Sequence, residues 1–451
     1  MMPFLTPNAI RYTVAHLMKV AAPRLGYKLE IQEEAVCLLC GEKSIELMLL
    51  PESKLLPLME GSFPVQMVNS VDGNRQIPLF VPEHLPFAEV HSSAMIVHAD
   101  IVTVSFLLLS RKEEQLIQER DSYGRFLCKW SLAEKYDFID IPIIDEWAML
   151  LRAQLQQFFS LETFGEHRPS LRLTHDLDGF RRFPSGGAAL RSILGGDLLL
   201  RKSPRLALVS LVSYFRSCRA PEKDPSAQGA FRLLQLAEDY GFRAEFYFMG
   251  LKQGEDDARY DVTKLPSLSI FRKKVEVAGM VCGFHGSRFT YDNADRFSLE
   301  QARVAQLLES KPTCGRQHYL CFDVEKTPAV WMQNGIQRDS TLGYPDREGF
   351  RCGTCFPFPV YDVIKDKPLD VVEHPLIFMD VAAHGRGLSD EEMLRSLCSL
   401  FDRCFFVGGE MVVLWHNENT VRDWASRFQK VYIPFLGYAA QKLKTEQNIG
   451  V

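Results

Sequence analysis

The stretch Leu171-Arg-Leu-Thr-His-Asp-Leu-Asp-Gly179 brings an imidazole and two carboxylates together within four residues. Such groups are costly to take out of water unless they are paired or bound to a cation. Leu171 and Leu173 alternate as in a strand, and Asp176 and Asp178, two residues apart, share a face if that strand continues. One carboxylate can then hold a metal while the other handles a proton. An Asx-turn closing a strand end is the other common use of such acids. Further groups suited to hydrolytic chemistry follow other short apolar runs: His285, Asp380 and His416, with His318 near the start of one run and Arg351 in a Gly-rich loop.

The elements that must position these groups alternate from Leu171 onward. Strand-like runs at Ala244–Met249, Met280–Phe284, Gln317–Phe322, Gln337–Thr341, Pro375–Met379 and Met411–Trp415 are separated by helical patterns such as Phe231–Tyr240 and Ile270–Val277. Ser298 with Gln301, and Ser389 with Glu392, have capping-box spacing, and Thr327-Pro328 opens a helix with proline at its first position. Such alternation implies a parallel sheet with helices outside, and about seven units in this length fit a barrel better than an open sheet. In either, the chemistry belongs at the carboxyl ends of the strands. The long connection Arg181–Gly229, directly after the first motif, is expected to be a lid.

A length of 451 residues predicts more than one domain. Residues 1–165 read as a smaller α/β domain, with a helix at Ala9–Val20, strands at Tyr27–Ile31, Val36–Leu39, Ile45–Leu50 and Ile101–Leu108, and an amphipathic helix at Asp145–Phe159. Residues 166–451 form the second domain. The composition, 46% hydrophobic and 24% charged, is that of a globular chain, and a net charge of −5 argues against a nucleic-acid partner. No basic segment leads into an apolar one at the N-terminus, and no apolar run is long enough for a membrane span, so a cytoplasmic protein is expected. Eleven cysteines among apolar neighbours read as reduced thiols. The pairs Cys37/Cys40 and Cys352/Cys355 would make a zinc site only if they met as a set of four. His84, His91 and His98, seven apart, have no ligand spacing.

Taken together, Thr174-His-Asp-Leu-Asp-Gly179, Gly283-Phe-His-Gly-Ser-Arg288, Arg316-Gln-His-Tyr-Leu320, Asp339-Ser-Thr-Leu-Gly-Tyr344, Gly349-Phe-Arg-Cys-Gly-Thr354 and Val413-Leu-Trp-His416 resemble the motifs of the polysaccharide deacetylase (NodB-homology) superfamily. The order and spacing look like the subgroup associated with surface-polysaccharide gene clusters, which carries an extra N-terminal domain. The resemblance spans roughly residues 168–435 and implies a distorted (β/α)7 barrel. It implies Asp176 as general base, Asp178 and His285 as metal ligands, Arg351 as the arginine orienting the base, and His416 as general acid. The superfamily's second histidine, four residues after the first, is here Phe289. His318 is the best substitute and His175 a second candidate.

The implied activity is metal-dependent removal of an N-acyl group from an amino sugar or oligosaccharide, with a divalent cation, zinc foremost. His175, Tyr344, Trp415 and Asp380 are the expected substrate contacts, and Phe350, Phe356 and Phe358 are further rings that could stack on sugars. A non-catalytic carbohydrate-binding or assembly protein on the same scaffold is the alternative, motivated by Phe289. A phosphoesterase is a third reading, but two-metal sites need more ligands than one strand end supplies.

Overall fold

The first helix, Pro7–Ala21, starts where Thr6 accepts a hydrogen bond from the Ala9 amide (3.1 Å). The computed structural model to which it belongs describes residues 4–71, 73–81, 85–160, 164–183, 185–251, 260–421 and 424–449. The strands that follow are β1 (Lys28–Ile31), β2 (Ala35–Cys40), β3 (Lys43–Met48), β4 (Gln66–Asn69), β5 (Gln76–Leu79), β6 (Ala88–Val90) and β7 (Ala94–Val97). They make a sheet in the order β1-β2-β3-β7-β6 and a separate β4-β5 hairpin. His84 lies outside the described residues, and His98 stands beside Glu89 (3.5 Å).

The run Ile101–Leu108, expected as a strand, is instead helical over Thr103–Leu109. Each residue of that helix is buried, and an apolar run buried on every side has no period that separates the two states. Asp100 decides between them. Its Oδ1 accepts from the amides of Val102 (2.9 Å) and Thr103 (2.7 Å), which are donors a helix start leaves unsatisfied. The amphipathic helix expected at Asp145–Phe159 spans Ile143–Phe159.

The second sheet is built from β8 (Ser170–Leu177), β9 (Arg243–Met249), β10 (Val281–Gly286), β11 (Cys314–Gln317), β12 (Arg338–Asp339), β13 (Phe358–Asp362), β14 (Lys367–Glu373), β15 (Leu376–Met379) and β16 (Glu410–Leu414). Its order among the described residues is β13-β14-β12-β11-β10-β9-β8-β16-β15, with every neighbouring pair parallel except β13 and β14. β14 and β15 stand at opposite ends of the parallel run, yet only His374 and Pro375 separate them in the chain. Three Cα steps reach about 11 Å at most, so the sheet must curl until its margins approach. The result is a mixed α/β fold with a curled, half-barrel sheet. The regular repeat of seven units does not hold, because the antiparallel β13–β14 hairpin interrupts the alternation of strand and helix.

Two local expectations are corrected. The helix Ala294–Leu308 is capped by Asn293, whose side chain accepts from the Arg296 amide (2.9 Å), not by Ser298. β11 stops at Gln317, and His318–Leu320 turns away as a short 3-10 segment, because Tyr319 (φ 59°) and Leu320 (φ 56°) are both left-handed. The Ser389–Glu392 capping box is present as expected. Within Arg181–Gly229 lie two helical stretches, Gly186–Leu200 and Pro204–Arg219, before the helix Pro225–Tyr240.

Inside the curl, polar groups are stacked in levels along β8. At the amino end Arg172 pairs with Glu245 and with Glu410 (2.8 Å), while Arg338 also reaches Glu245 (3.0 Å). The next level is Thr174, and above it Asp176, on the same face by the two-residue period. Leu171, Leu173, His175 and Leu177 occupy the opposite, helix-facing side; all four are buried.

One continuous apolar core joins the N-terminal region to the second sheet. A buried ionic joint crosses the same boundary. Arg351 donates to Glu114 Oε1 through Nε (3.0 Å) and Nη2 (2.7 Å), and Arg111 Nε donates to the same oxygen (2.8 Å). Arg111 also donates to the Arg351 carbonyl. All three side chains are about 1% exposed, so neither guanidinium can turn to water if its partner is lost. Glu114→Gln is therefore expected to lower unfolding stability by about 3–5 kcal/mol, measured by urea denaturation.

Candidate active site and metal centre

Asp178, His285 and His318 each present a ligand atom, and these atoms lie within 4.8 Å of one another. They come from the end of β8, from β10 and from the turn after β11. His285 Nε2 is 3.3 Å from Asp178 Oδ1, and His318 Nε2 is 3.8 Å from Asp178 Oδ2. A tetrahedral ion with bonds near 2.1 Å sets its ligand atoms about 3.4 Å apart, so three groups this close could hold a divalent cation. Two further observations fit. His285 Nδ1 bonds the Arg316 carbonyl (2.9 Å), which fixes that nitrogen as a donor and turns Nε2 toward Asp178. His285 Nε2 and Asp178 Oδ1 are buried atoms with no well-formed hydrogen bond, as ligand atoms awaiting a cation would be.

His318 thus stands beside Asp178 and His285, in a group that could hold a cation. Phe289 does not enter the site; it is 38% exposed, with its ring between the guanidinium groups of Arg288 and Arg296. The turn that aims His318 is braced from the N-terminal region. The Tyr319 ring stacks on Tyr123 (5.1 Å), and Arg125 donates to the Tyr319 carbonyl (3.3 Å). No local signal in the motif announces that brace, which is about 200 residues away in sequence.

Asp176 lies beneath this group, with Oδ2 3.6 Å from His285 Nε2. Burial would push its carboxyl up, but His285, Arg316 and His416 together hold it below the usual range. The arginine that orients it is Arg316, which donates to Asp176 Oδ1 through Nη1 (2.9 Å). The rest of that guanidinium is spent on the Ser340 carbonyl (2.6 Å), Ser340 Oγ (2.9 Å) and Thr174 Oγ1 (3.0 Å). Arg351, expected in this role, makes its bonds to Glu114 and to the Gly343 carbonyl (2.9 Å) instead. Its position in a loop packed on the N-terminal region directs it to the joint. Arg316 was missed although it stands two residues before His318; the two-residue period of β11 is the signal that could have found it.

His416 stands on the other side of Asp178, with Nε2 3.8 Å from Oδ2. Its Nδ1 bonds Asp380 Oδ1 (2.7 Å), and its amide donates to Asp380 Oδ2 (2.9 Å). Burial lowers an imidazole pKa, but Asp380, with Asp178 and Asp176, outweighs burial and raises that of His416 to about 10. Asp380 is fully buried and also accepts from Asn419 (2.8 Å), so it holds the histidine and is not a substrate contact. Asp178, in turn, is kept far below the usual range: burial opposes this, but His318, His285 and His416 prevail. The side chains of Asp178 (22%), His416 (14%) and His318 (11%) keep contact with solvent, whereas Asp176 and His285 are almost sealed. Access is thus from the side of Asp178.

The remaining expected substrate contacts lie elsewhere. His175 is on the helix-facing side of β8, with Nδ1 bonded to the Trp415 carbonyl (2.8 Å) and its ring against Phe246. Burial lowers its pKa to about 4. Trp415 is fully buried against Tyr432 (4.8 Å), and its indole N–H bonds the Asn419 carbonyl (3.1 Å). Tyr344 is buried close to Glu113, Arg111 and Cys128 of the N-terminal region. Phe350, Phe356 and Phe358 are buried in the core. All these rings pack the apolar layers and cannot meet a sugar. No cysteine joins a potential ligand group among the described residues.

Residues 4–160 match a model described as a family of unknown function (DUF7033). No curated protein matches the chain. Solved structures of similar outline include a protein assigned as a polysaccharide deacetylase from Mycobacterium smegmatis, at 14% identity and a TM-score of 0.38, over 63% of this chain and 92% of that one. Another so assigned, from Pseudomonas aeruginosa PAO1, has 14% identity and a TM-score of 0.36, over 61% and 86%. A third, from Bordetella bronchiseptica and assigned to O-antigen biosynthesis, has 14% identity and a TM-score of 0.28, over 58% and 78%. At such scores the likeness says nothing of function, and roles must be read from the side chains.

His318→Ala removes one of the three candidate ligand atoms, and is expected to weaken zinc binding by more than the about 10–100-fold typical of losing an outer-shell partner, read in a chelator competition assay. His175→Phe, on the far face of the same strand, should leave that affinity unchanged.

Proposed function

We propose that the chain is a metal-dependent hydrolase that removes an N-acyl, foremost an acetyl, group from an amino sugar in surface-polysaccharide metabolism, within the cytoplasm. The observation that carries this reading is the placing of an Arg-held carboxylate and an Asp-held imidazole on either side of one Asp–His–His group. Amide hydrolysis needs that pair of proton carriers, because water must lose a proton on attack and an amine must gain one to leave. The proposed division of the chain, 1–165 and 166–451, assigns this chemistry to the second part.

Asp178, His285 and His318 would hold the cation, with zinc as the proposed ion. When bound, it supplies a water of lowered pKa and polarises the acyl carbonyl. Asp176 accepts the proton of the attacking water. Arg316 keeps that carboxylate ionised and stops it from rotating away. His416, cationic at neutral pH because Asp380 lies behind it, gives a proton to the departing nitrogen. Asp380 keeps the Nδ1 proton in place, so that the proton delivered is the one on Nε2.

Zinc-loaded protein is expected to release acetate from an N-acetylated amino-sugar oligomer. His416→Ala and Asp176→Asn should each reduce kcat by about 10²–10⁴ while zinc content stays stoichiometric. Turnover by His416→Ala at the parent rate would remove the acid from the scheme. Asp380→Asn deletes the charge that raises the His416 pKa, so the alkaline limb of kcat/KM should move to lower pH. An unmoved limb would show that another group sets it.

A further inference from the structure

The helical hairpin Gly186–Arg219 has an inverted surface. In its second helix, Pro204–Arg219, the residues turned inward are Ala207, Ser210 and Ser217. Leu208, Leu211, Val212 and Phe215, spaced three and four apart on one stripe, face outward. At the bend, Leu199 and Leu200 are 74% and 83% exposed. An ordinary surface helix has the reverse pattern, and contiguous exposed apolar area of this kind marks a contact surface.

Charge selects what the surface contacts. Residues 181–219 contain eight arginines and lysines and a single acid, Asp197, in a chain whose net charge is −5. Asp197 is buried, where it accepts from Ser210 Oγ (2.6 Å), so no negative charge is offered outward. Arg191, Lys202, Arg205, Arg216 and Arg219 are exposed around the leucines. A second copy of the chain would bring like charge against like. No helix among the described residues is long and apolar enough to cross a membrane. Leucines within a rim of arginine and lysine suit a helix lying in the headgroup layer of an acidic bilayer, its apolar stripe at the acyl boundary and its cations on lipid phosphates.

We infer that the Gly186–Arg219 hairpin seats the protein on the surface of a bilayer rich in anionic phospholipid, without spanning it. The hairpin is rooted beside the site. The Arg182 amide donates to Asp224 (2.9 Å), and Asn417, next to His416, ties the Gly179 carbonyl (2.8 Å) to that of Ser226 (2.9 Å). The seating follows from the surface alone and does not depend on the hydrolase reading.

The test is co-sedimentation of the full chain with vesicles of phosphatidylglycerol and phosphatidylcholine, against vesicles of phosphatidylcholine alone. Binding is expected only to the acidic vesicles, weakening as salt is raised. The double variant Leu208→Glu, Leu211→Glu should bind about tenfold less, with an unchanged melting temperature, since both positions already face water. Absence of binding to acidic vesicles at low salt overturns the inference, as does equal binding by the variant. A stable dimer that the same variant dissociates also overturns it, by assigning the face to a second copy.

Discussion

Two carboxylates and three imidazoles crowd one rim of the curled sheet, and each is tolerable only because of the others. Removed from water, Asp176 and Asp178 would repel each other and take up protons. His285, His318, His416 and Arg316 reverse that, and both acids stay ionised although burial opposes it. The same attraction holds His416 protonated. A site of this kind cannot be assembled piece by piece, since any half of it is a set of unpaired buried charges. The levels beneath it have a matching logic: Arg172, Glu245, Arg338 and Glu410 fill the base of the curl with mutual pairs, and Arg316 connects that interior to the reactive end.

The pairing divides labour by geometry. Asp176 and Asp178 differ by two residues and by a few ångströms, yet one is sealed against Arg316 and the other opens to solvent. The buried one is fixed in direction by Arg316, and the accessible one lies where solvent reaches the rim. The placing of His318 depends on a strained turn, with two left-handed residues in succession, and on the stacking of Tyr319 on Tyr123. The N-terminal region therefore has a part in the site although it contributes no reactive group.

Much of this was legible in the chain. Alternation along β8 put Asp176 and Asp178 on one face, and the polar ends of successive strands marked the rim. The same parity, applied strictly, would have excluded His175 and Trp415, which fall between inward-facing neighbours. Arg351 misled because a motif match says nothing of which neighbour is nearer. Its partner, Glu114, is 237 residues away, and only the packing of two regions brings them together. Asp380 was visible as a strand-end acid, but its task was not, since His416 lies 36 residues further on. The helix at Thr103–Leu109 was hidden by its own uniform burial, with Asp100 as the one local sign.

The bridge His374–Pro375 has a consequence for how such a chain can diverge. Before it, β14 pairs with β12 and β13; after it, β15 pairs with β16 and ends at Asp380. His374 is itself tied to Glu410 (2.6 Å) and, through its amide, to the Asp339 carbonyl (2.9 Å). One residue inserted or deleted there would reverse the facing of every side chain on β15, and send Asp380 to the wrong side of the sheet. Substitutions can drift through this fold in many places, but a change of length at that bridge would cost His416 its anchor in a single mutational event.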